Sequence, residues 1–518
     1  MSSSTEIHVP ALAMGPSGDG GARDVPLAMD AEAFRRAGHA LVDQVAAFLA
    51  SVPGRPVTPA ETPAAVRALL GGDAPLPEEG ADAGELLRET AGLLFDHSLL
   101  NGHPRFFGYI TSSPAPLGML ADLLAAAVNP NVGAWRLGPM ATEIEAQTVR
   151  WIAEMIGYPA DCGGLFVSGG NMANMVALFA ARAAAAEWDL RAQGLAVPAA
   201  RPLCVYASSE THTWIQKAAD LSGLGTDAIR WIPAGADGRM DAGALREAIE
   251  HDQEGGACGM MAVATAGSVS TGAVDPLREI SAVCREHGIW LHVDGAYGAF
   301  AAAVPGTPED LRALHLADSV AVDPHKWLYA PLEAGCVLVR DAGALRRAFA
   351  YHPPYYHFGV EALNYFDLGP QNSRGFRALK VWLALRQAGR AGYARMIGDD
   401  IRLSQALHAA VAAHPELEAL TQSLSINTFR YVPRDLRGAP DGMGAAAYLD
   451  ELNEALLERI QGSGEAFVSN AVVGGRYALR ACIVNFNTRG EDVAALPGIV
   501  ARLGRQVDAE LRPGGARG

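Results

Sequence analysis

The sequence predicts an α/β fold in which a mainly parallel β-sheet has helices on both faces. Between about Ala115 and Arg390, short apolar segments typical of strands alternate with segments whose apolar residues recur at helical spacing. Examples are GGLFVSGG followed by NMANMVALFAARAAAA, and GMMAVATAG followed by PLREISAVCREHG and IWLHVD. This alternation is typical of βαβ units, which place neighbouring strands in parallel.

Composition limits the class of protein. The chain has 518 residues, so we expect one large domain and at least one smaller one. Half of the residues are hydrophobic, which indicates a folded globular protein. The 41 basic and 57 acidic residues give a net charge of −16, which argues against nucleic acid or an anionic membrane as a partner.

Cysteine usage and the N-terminal sequence indicate the compartment. The six cysteines lie far apart without a CxxC pair, so we expect reduced core residues and no metal site. The N-terminus lacks a basic stretch followed by an apolar segment, and no run of about 18 apolar residues occurs. These observations predict a cytoplasmic protein without a membrane span.

Changes in composition and periodicity divide the chain into four parts. A helix with an apolar stripe is expected to begin after the N-cap Asp30. Gly389 interrupts a helical pattern. Beyond it, two segments are predicted to form antiparallel strands, SLSINTFRYV and RYALRACIVNF. The predicted parts are a tail rich in Gly, Pro and Ser (1–29), an N-terminal helical segment (30–114), a large domain (115–390) and a small α+β domain (391–518).

Lys326 in SVAVDPHKWLYAP lies at the end of an apolar strand. Burying an unpaired ammonium costs several kcal/mol unless the lysine loses its charge, and a neutral lysine is a nucleophile. Taken alone, the position is equally typical of a lysine whose side chain reaches solvent.

Asp294 ends another predicted strand, IWLHVD. A buried aspartate needs a cation or hydrogen-bond donors. The small residues Gly295 and Ala296 follow it and allow a flat group to lie against the backbone.

Two further segments connect a strand to a helix. Ser168, Gly169, Gly170 and Asn171 offer backbone N–H groups and a helix dipole to a phosphate, although many such connections contain a Gly-Gly pair. His212 lies where an imidazole can stack on a ring, and a structural histidine is also common there.

Together these elements predict a site for pyridoxal 5'-phosphate. Lys326 would form a Schiff base with the aldehyde, and Asp294 would keep the pyridine nitrogen protonated. The turn that begins at Ser168 would bind the phosphate, and His212 would cover one face of the ring. The carboxylate matters because a protonated ring accepts electrons from a carbanion.

Seven segments also carry a resemblance to a known family: HPRFFGYITSSPAP, MATEIEAQTVRWIAEMIGYP, SGGNMAN, SSETHTW, ATAGSVSTGAVDPL, WLHVDGAYGAF and ADSVAVDPHKWLYAP. They resemble the group II pyridoxal-phosphate-dependent decarboxylases, which include the aromatic L-amino-acid, histidine and glutamate decarboxylases. The resemblance implies an aspartate-aminotransferase-like fold (fold type I) with a seven-stranded sheet. It also implies a homodimer whose active sites lie at the subunit interface.

The resemblance assigns roles to further residues of the cofactor site. Ala296 corresponds to the small residue under the ring, and Thr265 to the threonine beside the cofactor's hydroxyl. His325 corresponds to the histidine that reaches the phosphate region. Asp323 stands where many relatives have asparagine, and this difference puts its contact with the phosphate in doubt.

The segment AFAYHPPYYHFGVEALNYFDLG corresponds to the catalytic loop of the relatives. In them a loop tyrosine returns a proton to the substrate carbon, and the match falls on Tyr355, with Tyr356 as the alternative. A loop of packed, unreactive aromatic residues would have the same composition.

Four residues are predicted to contact the substrate: Tyr109, Asn131, Arg374 and Arg480. Arg374 corresponds to an active-site arginine of the aromatic branch. Arg480 resembles the arginine that binds the α-carboxylate in the glutamate branch, since a guanidinium binds carboxylate through two parallel hydrogen bonds. Either arginine is also compatible with an ordinary interface salt bridge.

The sequence therefore predicts decarboxylation of an L-amino acid to an amine and CO2, with an aromatic substrate favoured. Asn131 and Gly133 stand where aromatic-branch relatives carry bulky apolar groups, and Arg105 and Arg136 are nearby. An acidic substrate such as glutamate, aspartate or cysteine sulfinate is therefore an alternative. An aldehyde synthase or aminotransferase, and a ligand-binding α/β protein without activity, are further alternatives.

Overall fold

The computed structural model describes residues 25–197, 201–351, 362–438 and 443–512. The chain divides into two compact units. The first contains residues 25–51 and 61–97, and the second contains residues 52–60 and the described residues from 98 onward. Residues 1–24 of the predicted tail lie outside the described residues.

The first unit is helical. Its helices are α1 (Ala31–Ser51), α2 (Pro63–Leu69) and α3 (Ala83–Asp96). The Asp30 carboxylate accepts a hydrogen bond of 2.7 Å from the backbone N–H of Ala33, so Asp30 caps α1 as predicted. The apolar stripe of α1 is partly covered by α3, where the rings of Phe48 and Phe95 stack with centroids 4.2 Å apart, although none of the residues of α1 is fully buried.

The second unit contains a seven-stranded sheet with the strand order β1-β7-β6-β5-β4-β2-β3. Its strands are β1 (Gly163–Val167), β2 (Leu203–Ser208), β3 (Ile229–Ile232), β4 (Cys258–Thr265), β5 (Trp290–Asp294), β6 (Ser319–Val322) and β7 (Gly335–Val339). Strand β7 is antiparallel to both of its neighbours, and the other pairs are parallel. The predicted mainly parallel sheet is confirmed.

Helices pack on both faces of this sheet. The helices of this part of the chain are α4 (Pro116–Val128), α5 (Pro139–Ile156), α6 (Gly170–Ala185), α7 (Leu190–Gln193), α8 (Trp214–Leu221), α9 (Ala242–Glu254), α10 (Leu277–His287), α11 (Pro324–Trp327), α12 (Ala342–Phe349) and α13 (Ala378–Ala413). Successive side chains of a strand point to opposite faces. Ala262 and Ala264 of β4 therefore lie in one apolar core, and Met261 and Val263 lie in another.

The end of the chain forms a smaller α+β region. Its strands are β8 (Leu417–Ser423), β9 (Ile426–Tyr431), β10 (Ser469–Val473) and β11 (Arg476–Cys482), and its helices are α14 (Met443–Ser463) and α15 (Gly490–Leu511). The sheet order is β10-β11-β9-β8 with antiparallel pairing, as predicted for the segments around β9 and β11. Helix α13 passes through residue 390 with a non-helical Gly389 (φ 64°), and the boundaries proposed for the four parts stay predictions.

The six cysteines are free thiols. Cys204, Cys284, Cys336 and Cys482 are buried, whereas Cys162 and Cys258 are partly exposed. Within the described ranges, every helix is too short or too polar to span a bilayer.

Candidate active site

A cavity of about 500 Å³ lies at the carboxyl ends of the parallel strands. Thr265 at the end of β4 is in register with Asp294 at the end of β5, and Asp294 is in register with Ala321 of β6. Ligands of open α/β sheets bind at this edge. The predicted residues that line the cavity are Tyr109, Ser168, Gly169, Gly170, Asn171, His212, Thr265, Asp294, Ala296, Asp323, His325, Lys326 and Arg480.

Lys326 lies on the short helix α11, directly after β6. Its Nζ atom is 2.9 Å from Oδ2 of Asp323, and its side chain is 22% exposed. Burial favours a lower pKa for Lys326, but the negative charges of Asp323 and Asp294 outweigh it, so the pKa is raised above its ordinary value. The ammonium of Lys326 is thus not an unpaired buried charge, because the chain supplies two carboxylates at this position.

Asp294 is a buried carboxylate with few protein donors. Its oxygens accept hydrogen bonds from the backbone N–H of Ala296 at 3.1 Å and from Nδ2 of Asn174 at 3.2 Å. Burial raises the pKa of Asp294, and the nearby charge of Lys326 opposes this effect. A cation above this carboxylate would stabilise its charged form.

The turn between β1 and α6 contains two glycines that a larger residue could not replace without strain. Gly169 has φ 140°, a conformation that favours glycine. A Cβ atom on Gly335 would lie 2.4 Å from Cα of Gly169, and one on Gly170 would lie 2.7 Å from Oδ2 of Asp323. No side chain caps the start of α6, so its first N–H groups are available to an anion.

His212 is exposed in the chain and faces the cavity. Its Nδ1 accepts a hydrogen bond of 3.2 Å from the backbone N–H of Trp214, which places the proton of the neutral ring on Nε2. Partial burial lowers the pKa of His212. A neutral imidazole is therefore favoured at this position.

Arg480 of β11 reaches the cavity from the smaller region. It is 5% exposed, and its Nε donates a hydrogen bond of 3.0 Å to Oγ of Ser469. Its Nη1 donates to the carbonyl oxygen of Val269. These contacts hold the guanidinium in one orientation at the cavity wall.

Two predicted substrate residues lie elsewhere. Arg374 does not line the cavity, because its Nη2 pairs with Oε1 of the buried Glu145 at 2.5 Å and donates to the carbonyl of Phe166 at 2.6 Å. Asn131 uses its side-chain oxygen to accept the backbone N–H groups of Gly133 and Arg374. In a single chain both residues therefore have structural contacts, and their predicted contact with the substrate stays a prediction. Tyr355 and Tyr356 lie outside the described residues.

Comparison with known proteins assigns the chain to a family. The family model described as "Pyridoxal-dependent decarboxylase conserved domain" matches residues 63–431. The chain belongs to the pyridoxal-dependent decarboxylase family. It is a pyridoxal-phosphate-dependent carboxy-lyase, and its activity is the decarboxylation of an amino acid.

Three relatives illustrate the similarity. The aromatic-L-amino-acid decarboxylase of Bacillus atrophaeus is 32% identical, over 93% of this chain and 97% of that protein. The phenylacetaldehyde synthase of Petunia hybrida is 29% identical, over 87% of this chain and 90% of that protein. The crystal structure of Oryza sativa TDC with PLP and tryptamine superposes with a TM-score of 0.85 and 29% identity, over 93% of this chain and 99% of that chain.

The polar groups of the cavity fit pyridoxal 5'-phosphate. Oγ1 of Thr265 and Oδ1 of Asp323 are buried and have no hydrogen-bond partner among the described residues, so both can receive a polar ligand. Lys326 supplies an amine, Asp294 an anion for a ring nitrogen, and the turn at Gly169 a place for the phosphate. Asp323 is already paired with Lys326, so its predicted contact with the phosphate stays a prediction.

The sequence argument missed Asn174 and Tyr297, which also line the cavity. Asn174 is a buried amide within the apolar segment NMANMVALF, one helical turn after Gly170. A polar residue on the buried face of a helix was a detectable signal, because it requires a partner.

Proposed function

We propose that the enzyme decarboxylates an aromatic L-amino acid to the corresponding amine. The observation that carries this proposal is the distribution of cations in the cavity. Among the described lining residues, Lys326 and Arg480 are the only lysine and arginine. If Lys326 binds the cofactor and Arg480 binds the α-carboxylate, the described part of the cavity has no further arginine or lysine for the side chain of an acidic substrate.

The surroundings of Arg480 agree with an apolar side chain. Tyr109, Ile110, Val269 and Leu332 line the same cavity. Arg105, which kept the acidic alternative open, is paired with Asp492 at 3.3 Å and does not line this cavity. The similarity to an aromatic-L-amino-acid decarboxylase and to a structure with bound tryptamine supports the same substrate class.

The residues of the chain divide the catalytic work. Bound pyridoxal phosphate supplies the electron sink that makes loss of CO2 from Cα possible. Lys326 anchors the cofactor covalently, and Asp294 holds a proton on its ring nitrogen. His212 covers the ring, and Arg480 orients the α-carboxylate through charge-assisted hydrogen bonds. Tyr355 returns a proton to Cα.

A panel of amino acids assayed for CO2 release tests the substrate class. We expect turnover with L-tryptophan, L-tyrosine or L-phenylalanine and much weaker turnover with L-glutamate, L-aspartate or cysteine sulfinate. Arg480→Met should raise the KM of the preferred substrate, because a buried charged hydrogen bond is lost, whereas Arg105→Met should leave KM unchanged. Preference for an acidic amino acid would contradict the proposal.

We also propose that the enzyme is a homodimer. On α4, Leu120, Leu123, Leu124 and Val128 are 51–75% exposed, and Met140 at the start of α5 is 72% exposed. Contiguous exposed apolar residues of this kind mark interaction surfaces, and closed symmetric dimers are the commonest assembly. Light scattering should give twice the chain mass of 54.3 kDa, and Leu123→Glu combined with Leu124→Glu should lower it. A wild-type monomer would refute the proposal.

A further inference from the structure

A buried chain of hydrogen bonds lies behind Asp294. Nδ2 of Asn174 is 3.2 Å from Oδ2 of Asp294, and Oδ1 of Asn174 is 2.6 Å from Nε2 of His292. Nδ1 of His292 is 2.8 Å from Oγ of Ser319, which is 2.8 Å from Nε1 of Trp290. Asn174 is 1% exposed, and His292 and Ser319 are fully buried. The three buried side chains therefore connect α6, β5 and β6 behind the cavity.

The chemistry of each group fixes the direction of the bonds. The carboxylate of Asp294 can only accept, so the amide group of Asn174 donates to it and Oδ1 of Asn174 faces His292. The neutral His292 ring therefore carries its proton on Nε2 and donates to Oδ1 of Asn174. Its Nδ1 then accepts from Oγ of Ser319, which accepts in turn from the indole N–H of Trp290. A reversed amide would place its oxygen against a carboxylate, so every donor in the chain points toward Asp294.

This chain of hydrogen bonds stabilises the charged carboxylate of Asp294 without bringing a positive charge to it. Burial lowers the pKa of His292 to about 3, so the ring is uncharged at physiological pH. The chain of hydrogen bonds therefore presents the polarised N–H group of Asn174 to the carboxylate and no cation. Aligned hydrogen bonds strengthen one another in a buried environment.

We propose that Asn174, held in place by His292, is a positioning residue that keeps the proton of the Asp294 ion pair on the ring nitrogen of the cofactor. A hydrogen bond to a carboxylate stabilises its charged form and makes it a weaker proton acceptor. Without the Asn174 donor, the carboxylate competes more strongly for the proton, and the ring becomes a poorer electron sink. The inference rests on the role proposed for Asp294.

The direct test is the 15N chemical shift of the ring nitrogen, measured by solid-state NMR on holoenzyme loaded with 15N-labelled pyridoxal phosphate. The wild type should show a protonated nitrogen. Asn174→Leu, which is similar in size but lacks the donor, should shift the signal toward the unprotonated value. Its kcat should fall about tenfold to a hundredfold with little change in KM, because a hydrogen bond to a charged group is lost.

Two further variants separate this role from a merely structural one. Ser319→Ala removes a single oxygen at the far end of the chain and should shift the signal in the same direction by a smaller amount. Asn453, a fully buried asparagine that bonds to the backbone of Tyr431 and Leu449, provides the matched control. Asn453→Leu should lower the free energy of unfolding and leave the nitrogen signal at its wild-type position.

A wild-type nitrogen signal in both Asn174→Leu and Ser319→Ala would overturn the inference. If Asn174→Leu does not fold, the Ser319→Ala signal decides alone. Asp294→Asn provides the reference for the role of Asp294 itself, and it should give an unprotonated nitrogen or lose the cofactor. A protonated nitrogen in Asp294→Asn would refute that role, an outcome distinct from failure of the Asn174 inference.

Discussion

The ammonium group of Lys326 lies 2.9 Å from the carboxylate of Asp323, three residues earlier in the same turn. Asp323 is almost completely buried, so the carboxylate of this ion pair is shielded from water. It raises the pKa of Lys326 even though burial opposes a charge there. The ion pair therefore favours the protonated form of Lys326.

The first prediction concerns this pair. Asp323→Asn removes the nearest negative charge, so the pKa of Lys326 should fall and more neutral amine should be present near pH 7. Covalent capture of pyridoxal phosphate by the apoenzyme should then become faster at neutral pH, with its pH profile displaced to lower pH. Rapid mixing followed by absorbance measures this rate. An unchanged pH profile would show that Asp323 does not control the amine.

The second prediction assigns Arg374 to stability. Its side chain and that of Glu145 are 1% and 0% exposed, and they pair at 2.5 Å. Arg374→Met leaves Glu145 as an uncompensated buried charge and should cost about 3–5 kcal/mol of unfolding free energy. The double variant with Glu145→Leu should recover much of this loss and keep a wild-type KM. A raised KM in the stable double variant would instead support a contact with the substrate.

The third prediction concerns Asp400, whose Oδ2 accepts hydrogen bonds from Nε1 of Trp327 at 2.9 Å and the hydroxyl of Tyr329 at 2.7 Å. Burial raises the pKa of Asp400 to about 7 from 3.8. The folded state therefore binds more protons than the unfolded state between about pH 4 and 7, and stability falls as pH rises through this window.

Asp400→Asn should remove this pH dependence of the unfolding free energy, which is about 4 kcal/mol across the window. Urea denaturation of the wild type and the variant from pH 4 to 8 measures it. The stability of the variant relative to the wild type should increase with pH. A constant difference between the two proteins would contradict the raised pKa.

The fourth prediction concerns Tyr355 and rests on the sequence alone. Tyr355→Phe removes only the hydroxyl, so CO2 loss should continue while return of the proton to Cα fails. Molecular oxygen can then intercept the substrate, and the products should change from the amine toward an aldehyde, ammonia and hydrogen peroxide. Product analysis under air measures the change, with Tyr356→Phe as the control. Clean amine at an undiminished rate from Tyr355→Phe would exclude Tyr355 as the proton donor.

The sequence predicted the sheet and most of the cavity for a local reason. Asp294, Thr265 and Lys326 each follow or end an apolar strand, and parallel strands bring their carboxyl ends to one edge. The position of each residue along its own strand was therefore enough to predict that the three would meet.

Pairings between distant segments could not be predicted in this way. Arg374 and Glu145 are 229 residues apart, and no local pattern shows that the guanidinium is turned away from the cavity toward a buried acid. The charge state of Lys326 could not be predicted from the sequence for a related reason. It depends on a balance between burial and two carboxylates, and only the distances between the atoms determine which effect is larger.

The most direct test of the account is to locate the covalent bond to the cofactor. The holoenzyme is reduced with borohydride and digested, and the peptides are identified by mass spectrometry, with Lys326→Ala as the control. We predict a pyridoxyl-phosphate mass on Lys326 of the wild type and no modified lysine in Lys326→Ala, which should be folded and inactive. A modification on another residue, or retained activity in Lys326→Ala, would contradict the account.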